Sequence, residues 1–298
     1  MKKGTLLVFS SYVLWGLLPI FWKLLADVDS FYILACRVVF SLIVSAALLP
    51  AMKAAGKAAR ALKSRRLVGL MFCCGLLISF NWGVLIYCVA AGRVLDVSLA
   101  YYINPLLAIL VGFICFRERL SAAQWISVAI AAAGVAAPMV MAGEFPWLAV
   151  LCGLSFAIYG AVKKVADIPG EISTFMETLL VVPIALAYII IAEAGGGPVS
   201  TGQLSGWRLL LLPAAGVATF MPVFLYSAGI RTTSMGVSGV LMYINPTLQL
   251  FCGAVLYGEK MSPAMTVTFV LVWIATAIYL AGGYYDRKRQ KLPEKGEA

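Results

Sequence analysis

Charged side chains are scarce in the long apolar segments of this chain, and two of them stand at corresponding places: Arg37 in the second segment and Glu177 in the seventh. An ionised group at membrane depth is costly and is a functional candidate by default. A guanidinium there can bind a carboxylate through paired N–H donors, and a carboxyl group can take up and release a proton. Either can also do no more than satisfy buried groups where helices meet. Among uncharged groups, Asn104 and Asn245 each precede a proline, Pro105 and Pro246. Proline removes a backbone donor and frees an upstream carbonyl, so an opened helix beside an amide can contact a substrate where a cavity supplies water. The same residues also suit an interhelical hydrogen bond and a packing kink, and Asn81 is similar. Trp15, Trp22, Trp82, Tyr101, Tyr102, Tyr159 and Tyr243 fall within apolar segments, where they either line a cavity and stack on a planar or apolar substrate or pack helices together.

The elements that position these residues are membrane spans. Hydrophobic residues make up 62% of the chain and charged ones 12%, with a mean hydropathy of +0.96, which excludes a soluble domain. A helical span needs roughly 17–25 apolar residues. Ten such segments are expected, near 4–25, 31–50, 67–91, 94–116, 121–141, 145–163, 172–192, 208–230, 233–257 and 263–284. They are continuously apolar, not alternating, which excludes barrel strands. The first is read as a span and not a secretory leader, since it exceeds a typical h-region and no A-x-A site follows. Most of the 23 Lys and Arg then fall on the N-terminal side of the membrane, including Lys53 to Arg66, Arg117, Arg119 and the tail from Arg287. Both termini are therefore expected to be cytoplasmic. The net charge of +10 follows from topology and attraction to anionic headgroups, with no nucleic-acid partner implied. Lys23, Lys163 and Lys164 near span ends are expected to snorkel, or, for Lys23, to charge an outer vestibule. Trp147, Trp207, Tyr284 and Tyr285 suit the membrane interface.

The chain repeats itself. Tyr102-Ile103-Asn104-Pro105 returns as Tyr243-Ile244-Asn245-Pro246, Glu118 returns as Glu259, and Ser11-Tyr12-Val13-Leu14-Trp15-Gly16 is echoed by Ser155-Phe156-Ala157-Ile158-Tyr159-Gly160. The period is too long for a solenoid and suits a duplicated transporter half. The expected fold is an all-α membrane protein of ten transmembrane helices in two inverted five-helix repeats, 1–143 and 144–298. Five spans per half make the second copy enter the membrane in the opposite sense. Arg37 and Glu177 are then roughly 10 Å apart in depth at 1.5 Å per residue, so an ion pair between them needs tilt, reach or a bridging water and stays open. Inverted repeats build a midplane site that opens to either side in turn. Gly16 with Pro19 in span one, Gly160 in span six, and Pro105 and Pro246 are candidate hinges.

Within this frame, Tyr12 to Gly16, Phe21-Trp22-Lys23, Arg37-Val38-Val39, Asn81-Trp82 and Tyr102 to Pro105, with Ser155 to Gly160 and Glu177-Thr178, resemble the EamA branch of the drug/metabolite transporter superfamily. Within that branch they resemble the RarD, or chloramphenicol-sensitivity, group. The resemblance covers nearly the whole chain. It implies a multi-pass permease of the bacterial inner membrane for small metabolites or drugs, with a central cavity lined by spans one, three, four, six, eight and nine. Small multidrug exporters of that superfamily carry a Glu in mid span one, which this chain lacks, so antiport of bulky cations by that route is disfavoured.

Absences narrow the chemistry further. There is no histidine, which removes His proton relays and Ser-His-Asp catalysis, and no Walker A sequence. Seven cysteines without Cys-x-x-Cys spacing read as small buried hydrophobes and argue against a disulfide framework or zinc site. No cofactor, metal or enzymatic activity is expected. The expectation is a secondary transporter of a small organic solute, such as an amino acid or related anion, working by alternating access among membrane lipids. Protons coupled through Glu177 are one route and facilitative uniport of broad specificity is the alternative. A sensor or scaffold is remote, because the longest polar stretches are the 51–66 loop and the tail.

Overall fold

A chain this apolar must satisfy its backbone internally, and helices do so within one segment. The structure, a computed structural model, describes residues 3–25, 28–91, 94–142, 145–195, 206–256 and 263–291, and nearly all of them are helical. No strand occurs among the described residues. The helices are α1 (Lys3–Trp22), α2 (Ser30–Ala51), α3 (Ala55–Leu62), α4 (Arg65–Ala90), α5 (Val94–Phe116) and α6 (Ala122–Ala142). They continue as α7 (Trp147–Ala166), α8 (Gly170–Ala194), α9 (Leu211–Ile230), α10 (Met235–Met242), α11 (Ile244–Phe251) and α12 (Pro263–Lys291).

Among the described residues, 8 stretches are long and apolar enough to cross a membrane: Lys3–Leu25, Ser30–Ala51, Arg65–Cys88, Leu99–Phe116, Trp147–Ala166, Gly170–Ala194, Gly206–Ile230 and Thr266–Gly283. The two other expected spans take different forms. In α6 the apolar stretch is the shorter Ala122–Ala136. The segment expected near 233–257 is broken into α10, α11 and a π-helical stretch, Cys252–Leu256. The break falls at Tyr243, just before the Asn245-Pro246 pair, where the proline cannot supply the donor that a continuous helix requires. Its counterpart Asn104-Pro105 lies inside the unbroken α5.

The expected 51–66 loop contains α3, which buries Ala58 and Ala61 and leaves Lys57 and Arg60 exposed. Cysteine placement is also corrected: Cys73 and Cys115 are exposed, and only the other five are buried. The outer surface carries Ile43, Ile114, Ile126, Ile184 and Ile191, each more than half exposed. So much outward apolar area suits lipid and not water. Trp147 and Trp207 are exposed, as an interfacial belt requires.

Helices from the two ends of the chain pack on one another. α2 lies along α8 and α9, α1 along α9 and α11, α4 along α7 and α8, α5 along α7 and α10, and α6 along α12. Small residues permit the close crossings. A Cβ on Gly229 would meet the backbone of Gly4 and Val8, and one on Gly216 would meet the backbone of Phe40.

Glu118, just beyond α5, ties the two ends of the chain together. Its carboxylate accepts from the backbone N–H groups of Met235 (2.7 Å) and Gly236 (2.9 Å) at the start of α10. A carboxylate there satisfies orphan donors and complements the helix dipole. Glu118→Ala is expected to destabilise the chain by about 1–2 kcal/mol, read as a lower melting temperature in detergent, with Glu118→Gln recovering part of the loss. An unchanged melting temperature would mean that the cap contributes nothing. Its sequence mate Glu259 lies outside the described residues, as do Arg93 and Lys260.

Candidate functional site

Arg37 projects from α2 and is 9% exposed. Its Nε donates to Thr219 Oγ1 of α9 at 2.8 Å. The guanidinium carbon lies 4.5 Å from the ring centroid of Trp22 and 4.2 Å from that of Trp82. Two indoles from different helices therefore hold the guanidinium plane, and cation–π attraction offsets part of the cost of its burial. No carboxylate lies within ion-pair distance among the described residues. The Nη nitrogens have no acceptor there either.

They face a cavity of about 350 Å³, within the range for small-molecule sites. Trp15, Trp22, Asn81, Trp82 and Tyr101 line it together with Arg37, and so do Asn104 and Asn245. Pro19 is at its wall. Leu25, Val28 and Ser30, near the turn between α1 and α2, also line it. Sequence reasoning did not single out Tyr12, Phe156, Met242 or Gln249, which also line it. Tyr12 and Phe156 were legible as mates in the repeated Ser-Tyr and Ser-Phe motif.

The polar lining divides into engaged and unengaged groups. Asn81 Nδ2 donates to the Cys152 carbonyl (2.7 Å) and to Ser155 Oγ (3.2 Å), tying α4 to α7. Asn245 Oδ1 accepts from Gln249 Nε2 at 2.6 Å, one turn along α11. By contrast, Trp15 Nε1 and Asn104 Oδ1 are buried without a partner. Neither atom opens on the cavity, and Asn104 Oδ1 is turned toward Gly153 of α7. Trp15 is fixed by its neighbours, with ring centroids 5.8 Å from Tyr12, 5.7 Å from Phe156 and 5.8 Å from Tyr226.

Three aromatics expected at the cavity stand away from it. Tyr159 is fully buried and stacks on Tyr226 at 5.9 Å. Tyr102 and Tyr243 are buried at the crossing of α5 with α10, where the Tyr243 hydroxyl donates to the Tyr102 carbonyl at 3.5 Å. Each is on the face of its helix that meets another helix, which membership in a span does not reveal. The hinge candidates are tightly packed: a Cβ on Gly16 would meet Leu248 of α11, one on Gly160 would meet the Tyr226 hydroxyl, and Pro105 and Pro246 are buried.

Glu177 does not pair with Arg37. Its Oε2 is 2.9 Å from Lys163 Nζ, with the two side chains 3% and 1% exposed. Lys163 also donates to Ser227 Oγ (2.6 Å) and Ser173 Oγ (3.0 Å), and its Nζ is 5.0 Å from the Tyr159 ring centroid. Contrary to the expectation of snorkelling, Lys163 is a core residue. The missed signal is its spacing from Phe156 and Tyr159, which puts all three on one helix face. Lys164 points elsewhere, and donates to the Thr233 carbonyl at 2.6 Å. A small void of about 20 Å³, large enough for one water, lies between Glu177 and the Trp82 and Thr219 side chains that hold Arg37.

The chain resembles known proteins over almost its whole length. The model of the EamA-like transporter family matches it twice, over residues 2–138 and 146–281. The uncharacterized transporter YojE of Bacillus subtilis is 36% identical over 93% of this chain and 93% of its own length. Protein RarD of Salmonella typhi is 32% identical over 97% of this chain and 98% of its own. The chloramphenicol-sensitive protein RarD of Pseudomonas aeruginosa is 30% identical over 99% and 98%. A solved crystal structure, 20% identical, superposes with a TM-score of 0.73 over 93% of this chain and 97% of that one, which shows the fold alone. A multi-spanning helical chain, matched end to end by these relatives, belongs to the EamA-like transporter family.

Proposed function

We propose that this chain is a secondary transporter that moves small organic anions across the bacterial inner membrane by alternating access, with Arg37 as the substrate anchor. The observation that carries this reading is the Arg37 guanidinium, clamped between Trp22 and Trp82 with its Nη edge open to a cavity of about 350 Å³. A buried cation with no counter-ion is hard to account for unless a ligand supplies the charge.

The broken segment α10–α11 and the short apolar stretch of α6 complete ten spans in this reading. Their division at 1–143 and 144–298 into inverted repeats is supported by the twofold family match and by the packing of corresponding segments, α2 on α8, α5 on α10 and α6 on α12. Basic residues concentrated on one side favour cytoplasmic termini. Bending near Gly16, Pro105 and Pro246 would let the halves move about the cavity. In that motion Glu177 is the coupling candidate, and the small void that it lines shares Trp82 with the cavity. Uniport is the second reading, favoured by the absence of any carboxylate from the cavity lining among the described residues.

Proteoliposomes test it. The purified chain is expected to accelerate exchange of labelled organic acids, and Leu18→Trp, which fills the cavity from α1, is expected to abolish that exchange while melting within a few degrees of the parent. Chloramphenicol belongs in the same panel because of the name one relative carries. Flux no faster than in empty liposomes for every compound, or full flux through a folded Leu18→Trp chain, would overturn the proposal. Net uptake that is equal with and without a pH gradient would favour uniport.

A further inference from the structure

We propose that the cavity selects monocarboxylates with an apolar body and discriminates against any second charge on the substrate, whether another carboxylate or an ammonium group. This rests on the transport reading and narrows its organic anions to one charge type.

The wall is built for one negative charge. Arg37 is the single cation among the described lining residues, and none of them is acidic. A carboxylate on the Nη edge is a charge-assisted, bidentate match, and it leaves the loaded site neutral. Arg37 is only 9% exposed, so a ligand charge beside it gives up much of its hydration and must find a counter-charge in the protein. A second carboxylate has no second cation to meet and is repelled by the first. An ammonium group has no anion to meet, and the guanidinium is a like charge. Aromatic faces can hold ammonium groups, but Arg37 already lies over both Trp22 and Trp82.

The rest of the wall suits hydrocarbon. Leu18, Ile33, Leu85, Ile86, Phe156 and Met242 line it from α1, α2, α4, α7 and α10, and an apolar group placed against them is favoured by its removal from water. The lining amides are partly committed to the protein itself: Asn81 Nδ2 donates to Cys152 and Ser155, and Asn245 Oδ1 accepts from Gln249. A neutral amide can hydrogen-bond a ligand but cannot balance a formal charge. Charge is therefore read by Arg37 alone, and shape by the apolar side chains around it.

The test uses the purified full-length chain, with 3-phenylpropionate and three ligands that each differ from it at one position. Benzylmalonate adds a carboxylate to the α-carbon, phenylalanine adds an ammonium group there, and 3-phenylpropanamide removes the charge. Affinities come from ligand-dependent melting, at a pH that ionises both carboxyl groups of benzylmalonate, and transport from competition for exchange of a labelled organic acid in proteoliposomes. 3-Phenylpropionate is expected to bind about tenfold or more tighter than each of the other three. Leu85→Lys, which adds a cation on the face of α4 that carries Trp82, is expected to move the preference toward benzylmalonate by about tenfold. Leu85→Asp is expected to move it toward phenylalanine. Benzylmalonate or phenylalanine binding the parent as tightly as 3-phenylpropionate would overturn the selectivity while leaving transport intact, and that ranking requires no variant to fold. An unchanged ranking in Leu85 variants that melt near the parent would overturn it as well. 3-Phenylpropanamide matching 3-phenylpropionate, or no binding and no exchange by any of the four, would overturn the Arg37-anchored transport reading together with the selectivity.

Discussion

Lys163→Met is expected to lower the stability of the purified chain by about 3–5 kcal/mol, because it strands the Glu177 carboxylate in the core. The two groups meet at 2.9 Å with almost no exposure, and Ser173 and Ser227 complete the shell around the ammonium. An ionised pair taken out of water does not stabilise the fold relative to an apolar pair of similar size, since desolvation cancels the Coulomb gain. Losing one member is different: the survivor must stay charged without a partner or become protonated. The expected readout is a fall in melting temperature of the order of 10 °C for Lys163→Met, and a similar fall for Glu177→Leu. Lys163→Met combined with Glu177→Leu should recover most of the loss, and the coupling between the sites is the evidence of pairing. A single variant that melts with the parent, or a double variant worse than both singles, would rule out the pair. If the pair also couples transport to protons, the double variant should be stable and exchange substrate without responding to a pH gradient.

The Lys163 and Glu177 pair also marks where sequence reasoning stops. Periodicity and length are enough to place the helices within a few residues, because a lipid environment leaves one way to satisfy a backbone. The exceptions have local causes: α3 forms because Ala58 and Ala61 find a core to bury in, and the 233–257 segment breaks beside a proline that α5 tolerates. Arg37, Trp22, Trp82 and Asn104 can be named from charge, aromaticity and the repeat, and they share one cavity. Tyr102, Tyr159 and Tyr243 cannot be told from them, since facing a cavity and facing a neighbouring helix leave the same trace in a sequence. Lys163 misleads for a related reason. Its place near a helix end suggests snorkelling, while Glu177 and Ser227, which hold it, lie on α8 and α9 and become its neighbours only in the folded bundle.

Arg37→Gln is expected to weaken binding of an organic carboxylate by about 100-fold or more, since two charge-assisted hydrogen bonds at about 1.5–3 kcal/mol each are lost. Arg37→Lys should recover only a small part of this. Lysine keeps the charge but not the planar fork, and it cannot both fill the gap between Trp22 and Trp82 and donate along its Nε edge to Thr219 as Arg37 does. The stability of the ligand-free chain should move the opposite way to that of Lys163→Met. Arg37→Gln removes a buried charge that no protein carboxylate balances, so the melting temperature should hold or rise even though the Thr219 hydrogen bond and the indole stacking are weakened. Groups placed for a ligand commonly carry this signature, in which function is lost and stability is not. Ligand titration by melting, repeated in the parent, Arg37→Gln and Arg37→Lys chains, separates the cases. An Arg37→Gln chain that melts far below the parent and still binds carboxylates would make Arg37 a structural strut between α2 and α9, and the anchor would then have to be sought among the lining amides Asn81, Asn245 and Gln249.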